Sequence, residues 1–466
     1  MSPPSERTAT GRPRVAVVGT GLAGLAAALE LKRRGCSVVL LERSRLLGGK
    51  TTSFYVGDTE VDCGQHVILG CYTAFLDFAA ELGMRGSLRL QPRFEAVVIS
   101  ATGKSRLRAM NLPAPLHLAL PFLGFRALSL RGRMGVARAL LSARLRRQPD
   151  REEAETFAAW LHRHKQGESA LTGFWEPFIV PALNAPLDEA SAAAGLFVVR
   201  TAFLGDRHAA CIGYATVPLV RFAEAAALRC DEVRMRSAVT GLQIEGGRLR
   251  GVLVGAEEVE ADGAVFAVPP ERLRRLPGAE ALGVAGLEGF RTQPIVDVHL
   301  WYDREVPGLD FAALPGSPVQ WVFTRGPGYL CCSMSSAAEW VRTPDDTLVE
   351  LADREIRARL TELAGAELRR GVVTRDPEAT FIPTPGLHRP GSSTLVPNAA
   401  IAGAWTDTGW PATMEGAVLS GQAAARSVMD GMGTVGATAD GVQERPAVAS
   451  HGAHSARPVG GAVLHG

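Results

Sequence analysis

The chain has 466 residues, 46% of them hydrophobic and 21% charged. At roughly 100–200 residues per domain that is enough for about two to four domains and a large buried core. Fifty Lys+Arg against 48 Asp+Glu is a near-neutral balance, which excludes global disorder and nucleic-acid affinity driven by net charge. Seven scattered cysteines, with no CxxC pair and no paired-His spacing, speak against a disulfide framework and a structural zinc, so no metal site is expected.

In chain order, residues 1–12 read as a disordered leader without the apolar core of a signal peptide, which points to a cytoplasmic chain. Arg14 to Val18 reads as a strand, Leu22 to Arg34 as a helix stopped by Gly35, and Ser37 to Leu41 as a second strand. This is a βαβ unit. The apolar run Ala109 to Phe125 is broken by Pro113, Pro115 and Pro121 and falls short of the ~20 residues a membrane span needs. Ten basic side chains flank it: Lys104, Arg106, Arg108, Arg126, Arg131, Arg133, Arg138, Arg144, Arg146 and Arg147. Basic residues around a short apolar segment predict peripheral contact with an anionic membrane surface and a hydrophobic substrate drawn from it.

Further along, Leu128 to Arg147 and Thr156 to His164 carry helical spacing. Val233 to Val268 reads as a β-meander, turning at Gly246-Gly247, whose last strand rejoins a sheet. Pro294 to Trp301 reads as an apolar strand ahead of a helix from about Asp345 to Ala364, and residues 433–466 as a disordered tail. The expected architecture is α/β, with a discontinuous Rossmann-like domain built from residues 13–100, 205–290 and 386–432. A mixed α+β substrate and membrane-contact domain is inserted as residues 101–204 and 291–385.

Gly19, Gly21 and Gly24 form a GxGxxG turn between the first strand and the helix that opens with Leu22 and Ala23. The first glycine permits the turn, the second lets backbone approach a pyrophosphate, and the third lets helix and strand pack closely. The helix start offers free N–H groups to the phosphates, and Glu42 follows the second strand where a ribose-binding acid belongs.

Glu42-Arg43 followed by Gly48-Gly49-Lys50 resembles the E-R-x-x-x-x-G-G-[RK] extension of the amine oxidase and phytoene desaturase flavoproteins. Ile401 to Trp405 with Gly409 to Ala417 resembles their C-terminal flavin motif. The resemblance implies FAD, held by Arg43, Gly49, Lys50, Gly403, Met414 and Glu415 together with the glycine turn and Glu42. Val239 looks like the family's backbone contact to adenine. Ala404 departs from the pattern, since the family carries an acid there on the ribityl chain, and Asp407 is the nearest replacement.

Asp62-Cys63-Gly64-Gln65-His66-Val67 and Gly70-Cys71-Tyr72 resemble the D-N-G-Q-H-V…G-C-Y of the squalene-associated desaturase branch, with Cys63 in place of Asn. Trp175-Glu176-Pro177, Ala182-Leu183-Asn184, Phe203-Leu204-Gly205, Val298 to Asp303 and Gln320 to Phe323 resemble further motifs of that branch. The resemblance implies hydroxysqualene dehydroxylase activity in hopanoid biosynthesis, with an external electron donor. A carotenoid-type desaturase, an amine oxidase and a non-catalytic lipid-binding relative with impaired flavin retention are the alternatives. Loss of an allylic hydroxyl needs an acid, for which His66 and Glu176 are the candidates. Trp175, Trp301 and Trp321 are the candidate substrate-lining aromatics.

Overall fold

The protein is described here by a computed structural model covering residues 11–100 and 103–433. The expected leader, apart from residues 11 and 12, and the expected tail, apart from Gly433, lie outside the described residues.

Arg14–Val18 and Ser37–Leu41 are strands at the expected places, and their apolar runs are buried on both faces, as parallel strands between layers require. They sit in a parallel sheet of five strands, in the order 232–234, 37–41, 14–18, 263–266 and 399–401. Val15 lies opposite both Val38 and Gly263. The helix between the first two strands, Leu22–Arg33, packs on the last helix, Met414–Gly433. Gly421 makes the approach possible, because a Cβ there would lie 2.0 Å from the Ala23 carbonyl oxygen.

The meander forms a three-stranded antiparallel sheet from Val239–Glu245, Arg248–Val254 and Glu257–Glu260. Gly263–Phe266 then joins the parallel sheet beside the first strand, as the sequence predicts. Glu232–Arg234, which reads as the start of the meander, instead pairs with Val39 to Leu41 as an edge strand of the parallel sheet.

A second sheet has seven strands, in the order 368–381, 292–302, 329–334, 321–326, 311–313, 95–100 and 103–108. Glu95–Ser100 belongs here by hydrogen bonding, through the hairpin to Gly103–Arg108 and the pair Val98 and Ala313. It therefore lies across the division drawn from sequence at residue 100, because a short alternating strand carries no signal of which sheet it will join. Along Thr292–Tyr302 the side chains alternate. Val296, Val298 and Leu300 pack with Leu348 and Ile356 of helix Asp345–Arg357, so Asp297, His299 and Trp301 point from the other face. Asn184, in the left-handed region at φ 47°, fastens the end of helix Glu176–Leu183 to this sheet. Its amide donates to Gln293 O at 2.9 Å and Thr380 Oγ1 at 3.0 Å and accepts from Ser336 N–H.

The segment after Arg108 folds as the short helix Leu116–Leu123 and the longer helix Leu130–Leu145. Among the described residues no helix is long and apolar enough to cross a membrane.

Candidate functional site

The three glycines of the first turn do different work. Gly19 lies at φ 98°, donates its N–H to Leu41 O at 2.8 Å, and has no room for a Cβ, which would sit 2.5 Å from Ala267 O. A Cβ on Gly24 would strike Gly19 O at 2.0 Å. A Cβ on Gly21, by contrast, would meet nothing within 4 Å. Protein packing does not require glycine at that position, so the space over it is the cradle in which a pyrophosphate fits against bare backbone. Gly21 also caps the first helix without a side-chain acceptor and with no acid in the first turn, leaving the Leu22 and Ala23 amides to an anion. Gly49 packs behind it, where a Cβ would lie 3.1 Å from Gly21 Cα.

Glu42 is buried beside this turn. Its Oε2 accepts from Thr20 N–H at 3.0 Å and from the Thr20 hydroxyl at 2.7 Å, and its Oε1 accepts from Ser44 N–H at 2.8 Å. Ser237 N–H donates to Glu42 O at 2.7 Å, which brings the half-buried Val239 to the same end of the sheet. Arg43 is exposed. Lys50 turns away from the glycine turn, its ammonium donating to Asp376 Oδ2 at 2.9 Å and to Glu378 O on the large sheet. In this arrangement it ties the two sheets together.

At the other end of the chain, Gly403 donates its N–H to Ser420 Oγ at 2.9 Å and holds a φ of 150°. Its loop is organised by Arg389, a residue that sequence reasoning missed. The Arg389 guanidinium donates to Ala404 O at 2.9 Å, Trp405 O at 3.2 Å, Trp410 O at 2.6 Å and Thr406 O, and lies over the Phe381 ring. Burial pushes its pKa down. A lone arginine in a Pro-rich loop gave no pattern to find it by. Asp407 is exposed and accepts from Gly409 N–H in its own turn, so its carboxylate is spent locally.

Met414 opens the last helix and is buried. Glu415 requires a correction. Its carboxylate accepts from Ala74 N–H at 2.9 Å, from Phe75 N–H at 2.8 Å and from the Thr73 hydroxyl at 3.4 Å. The side chain thus caps the separate helix Thr73–Glu81, whose own N-cap supplies no acceptor, and only its backbone is left for a cofactor. Burial raises its pKa despite these donors.

His66 is half-buried, and its Nδ1 lies 2.8 Å from Gly64 O. A carbonyl can only accept, so Nδ1 carries the hydrogen and Nε2 is the working nitrogen. The turn is anchored by Asp297, whose Oδ2 accepts from Gln65 N–H at 2.8 Å. Asp297 is 1% exposed, and burial pushes its carboxyl pKa up. Within Ile295 to His299 it reads as an ordinary strand residue, which is why the sequence did not single it out. His299 on the same face is structural: its ring meets Tyr329 OH at 2.8 Å and Thr374 Oγ1 at 3.3 Å, and burial pushes its pKa down to about 4.

The other candidates do not gather around His66. Glu176 is exposed in the first turn of its helix, and desolvation, then the Glu168 charge, raises its pKa. Trp175 is a core residue, 1% exposed, packed on Phe157 and Phe174 with its indole N–H donated to Gln166 Oε1 at 3.0 Å. Trp301 stacks on Tyr329 at 4.5 Å and carries Arg370 over its ring. Trp321 belongs to the aromatic group of Phe178, Phe311 and Phe323, with its N–H on Pro177 O at 2.8 Å.

Residues 22–429 match the family described as flavin containing amine oxidoreductase. The chain belongs to that family. It is 29% identical to a hydroxysqualene dehydroxylase of Rhodopseudomonas palustris, covering 89% of this chain and 98% of that one. It is 26% identical to a 15-cis-phytoene desaturase of Synechococcus elongatus, over 89% and 96%. Among solved structures it resembles a putative protoporphyrinogen oxidase from Exiguobacterium (TM-score 0.66, 16% identity, 89% and 98% covered). It also resembles a putrescine oxidase bound to putrescine (TM-score 0.65, 20% identity, 90% and 99% covered). The protein is a flavin-dependent oxidoreductase with FAD as its cofactor. The cradle over Gly21, the uncapped helix start and the buried Glu42 fit the pyrophosphate and ribose of that group.

Proposed function

We propose that this flavoenzyme reductively dehydroxylates hydroxysqualene to squalene. The observation that carries the reading is the Asp62 to Tyr72 segment. It matches the motif of that branch, and here it folds into a turn that fixes the His66 tautomer beside a buried acid. Bound FAD supplies the hydride. Around it, Gly21, Leu22, Ala23 and Glu42 bind the adenine half, while Gly403 and the start of the last helix hold the flavin half. With Nδ1–H held on Gly64 O, the cationic form of His66 carries its second proton at Nε2, and that is the proton an allylic hydroxyl needs in order to leave as water.

A hydrophobic substrate calls for a route from lipid. Helix Leu130–Leu145 exposes Leu130, Met134, Leu141 and Leu145 in one stripe, with Arg131, Arg138 and Arg144 interleaved, and Leu116, Leu120 and Leu123 of the preceding helix are exposed beside it. This amphipathic face supports peripheral docking on an anionic membrane. Arg106 and Arg108 are drawn instead to Glu95, both at 3.2 Å.

The second reading, a phytoene-type desaturase, is favoured by the 26% identity to the Synechococcus enzyme. It removes hydride from the substrate and has no use for an acid at a leaving hydroxyl. Anaerobic incubation of the reduced, FAD-loaded protein with hydroxysqualene, and of the oxidised protein with phytoene, followed by product identification, separates the two. Squalene from the first mixture and unchanged phytoene in the second is the expected pair of results.

A further inference from the structure

We propose that Asp297 and His66 form a dyad bridged by a single peptide group, in which Asp297 is the positioning residue for the His66 ring. The bridge is the Gly64–Gln65 peptide. Its N–H donates to Asp297 Oδ2 at 2.8 Å, and its carbonyl oxygen accepts from His66 Nδ1, also at 2.8 Å. Hydrogen bonds at the two ends of one amide reinforce each other, since a stronger acceptor on the N–H makes the carbonyl a stronger acceptor in turn. The ionisation of Asp297 is therefore felt at His66 without direct contact between the two side chains.

Three further observations support the pairing. A Cβ on Gly64 would lie 3.5 Å from Asp297 Oδ2 and 3.9 Å from His66 Cε1, so the residues flank the same point, and glycine keeps the space between them open. Asp297 Oδ1 is fully buried and meets no group with full hydrogen-bond geometry, only the Ser333 hydroxyl acting on the carboxyl, so the group is incompletely satisfied where it sits. The carboxyl also stands on a strand of the large sheet that is paired on both sides, a rigid mount for a loop that has no regular structure of its own.

The charged and titratable groups around Asp297 are known. His66 and Cys63 face it from the turn, and Asp62 from strand Thr59–Asp62, with Arg325 at 3.5 Å from Asp62. Cys331 and Tyr329 stand on the same face of the paired strand, where the Ser333 hydroxyl also acts on Asp297, Cys332 lies behind it on the opposite face, and His299 shares its face on its own strand. Arg325 is committed to Asp62 and to Ala215 O, and His66 is the group of the turn that acts on Asp297 with favourable charge.

The inference rests on the reading of His66 as proton donor only for its catalytic meaning, and the test separates the two. In full-length, FAD-loaded protein carrying isotope-labelled histidine, the His66 ring signal is assigned by its loss in His66→Gln and followed through a pH titration. The dyad predicts two inflections in the wild type, one for each coupled group. Asp297→Asn, which keeps an acceptor for Gln65 N–H but cannot ionise, reduces them to one. Ser333→Ala, a milder change, moves the inflection belonging to Asp297 and leaves the turn in place. A single, unaltered inflection in the wild type and in Ser333→Ala overturns the dyad, whether or not Asp297→Asn folds. Full turnover of hydroxysqualene by His66→Gln, with the two inflections present in the wild type, supports the dyad and overturns only the proton-donor reading.

Discussion

Thr20 donates twice to one oxygen of Glu42, through its backbone N–H at 3.0 Å and its hydroxyl at 2.7 Å, and so locks the acid at the end of the second strand against the glycine turn. The acid proposed to bind ribose and the loop proposed to bind pyrophosphate are one hydrogen-bonded unit. Glu42→Ala removes both the ribose acceptor and the anchor of the turn. FAD affinity is expected to fall by about 1–3 kcal/mol, roughly 5- to 150-fold. Thr20→Val, which removes only the hydroxyl, gives a smaller loss. Flavin fluorescence titration of the apoprotein measures both, and equal affinity in wild type and Glu42→Ala contradicts the assignment.

Glu415 behaves in the opposite way. As a cap on helix Thr73–Glu81 it supports stability, so Glu415→Ala is expected to cost about 1–3 kcal/mol in unfolding while the protein retains stoichiometric FAD. Its pKa in the folded protein is raised by burial, so the folded state binds the proton more tightly than the unfolded one. Its contribution is therefore complete below the ordinary carboxylate pKa and falls as pH rises toward the higher folded value. Glu415→Gln removes that decline. Denaturant unfolding across the mildly acidic range reads the slope, and an identical slope in the variant refutes the account.

Ala404 stands where the flavin motif that this segment resembles has an acid, and Asp407 is occupied in its own turn. With that carboxylate engaged, Ala404→Asp is expected to tighten FAD by up to about 1–3 kcal/mol. The Arg389 guanidinium, already on Ala404 O at 2.9 Å, favours the added negative charge. Unchanged or weaker binding by calorimetry argues that the wild-type loop satisfies the flavin without it.

The exposed stripe on helix Leu130–Leu145 predicts two separable contributions to vesicle binding. Replacing Arg144, Arg146 and Arg147 with Ser removes up to about 3 kcal/mol of attraction to anionic vesicles at low salt, and the loss fades as salt rises. Replacing Leu141 and Leu145 with Ser weakens binding at every salt concentration. Co-sedimentation that responds to neither set places the docking face elsewhere.

Much of the fold was legible because apolar runs and glycine punctuation are local signals: Arg14 to Val18, Ser37 to Leu41 and the Gly246-Gly247 turn fall where the pattern puts them. What escaped was set by partners distant in sequence. Glu232–Arg234 pairs with a strand about 190 residues away, and Glu95–Ser100, beyond its local hairpin with Gly103–Arg108, joins the large sheet through Ala313, so no short pattern names those partners. The same holds for side chains. The glycine turn and Glu42 are a local constellation and were found. Lys50, Glu415 and Arg389 take their roles from Asp376, Phe75 and four loop carbonyls, and Asp297 is joined to His66 only through the fold.

The central claim is reductive dehydroxylation by a flavoenzyme with His66 as its acid, and pre-steady-state flavin absorbance tests it most directly. Anaerobically reduced protein is mixed with hydroxysqualene presented in vesicles, and flavin reoxidation is followed alongside product. The account predicts reoxidation in step with squalene, equimolar with flavin, and slowed by roughly 10²–10⁴-fold in His66→Gln. Flavin that stays reduced in the presence of hydroxysqualene, while oxidised protein is bleached by phytoene, would contradict it.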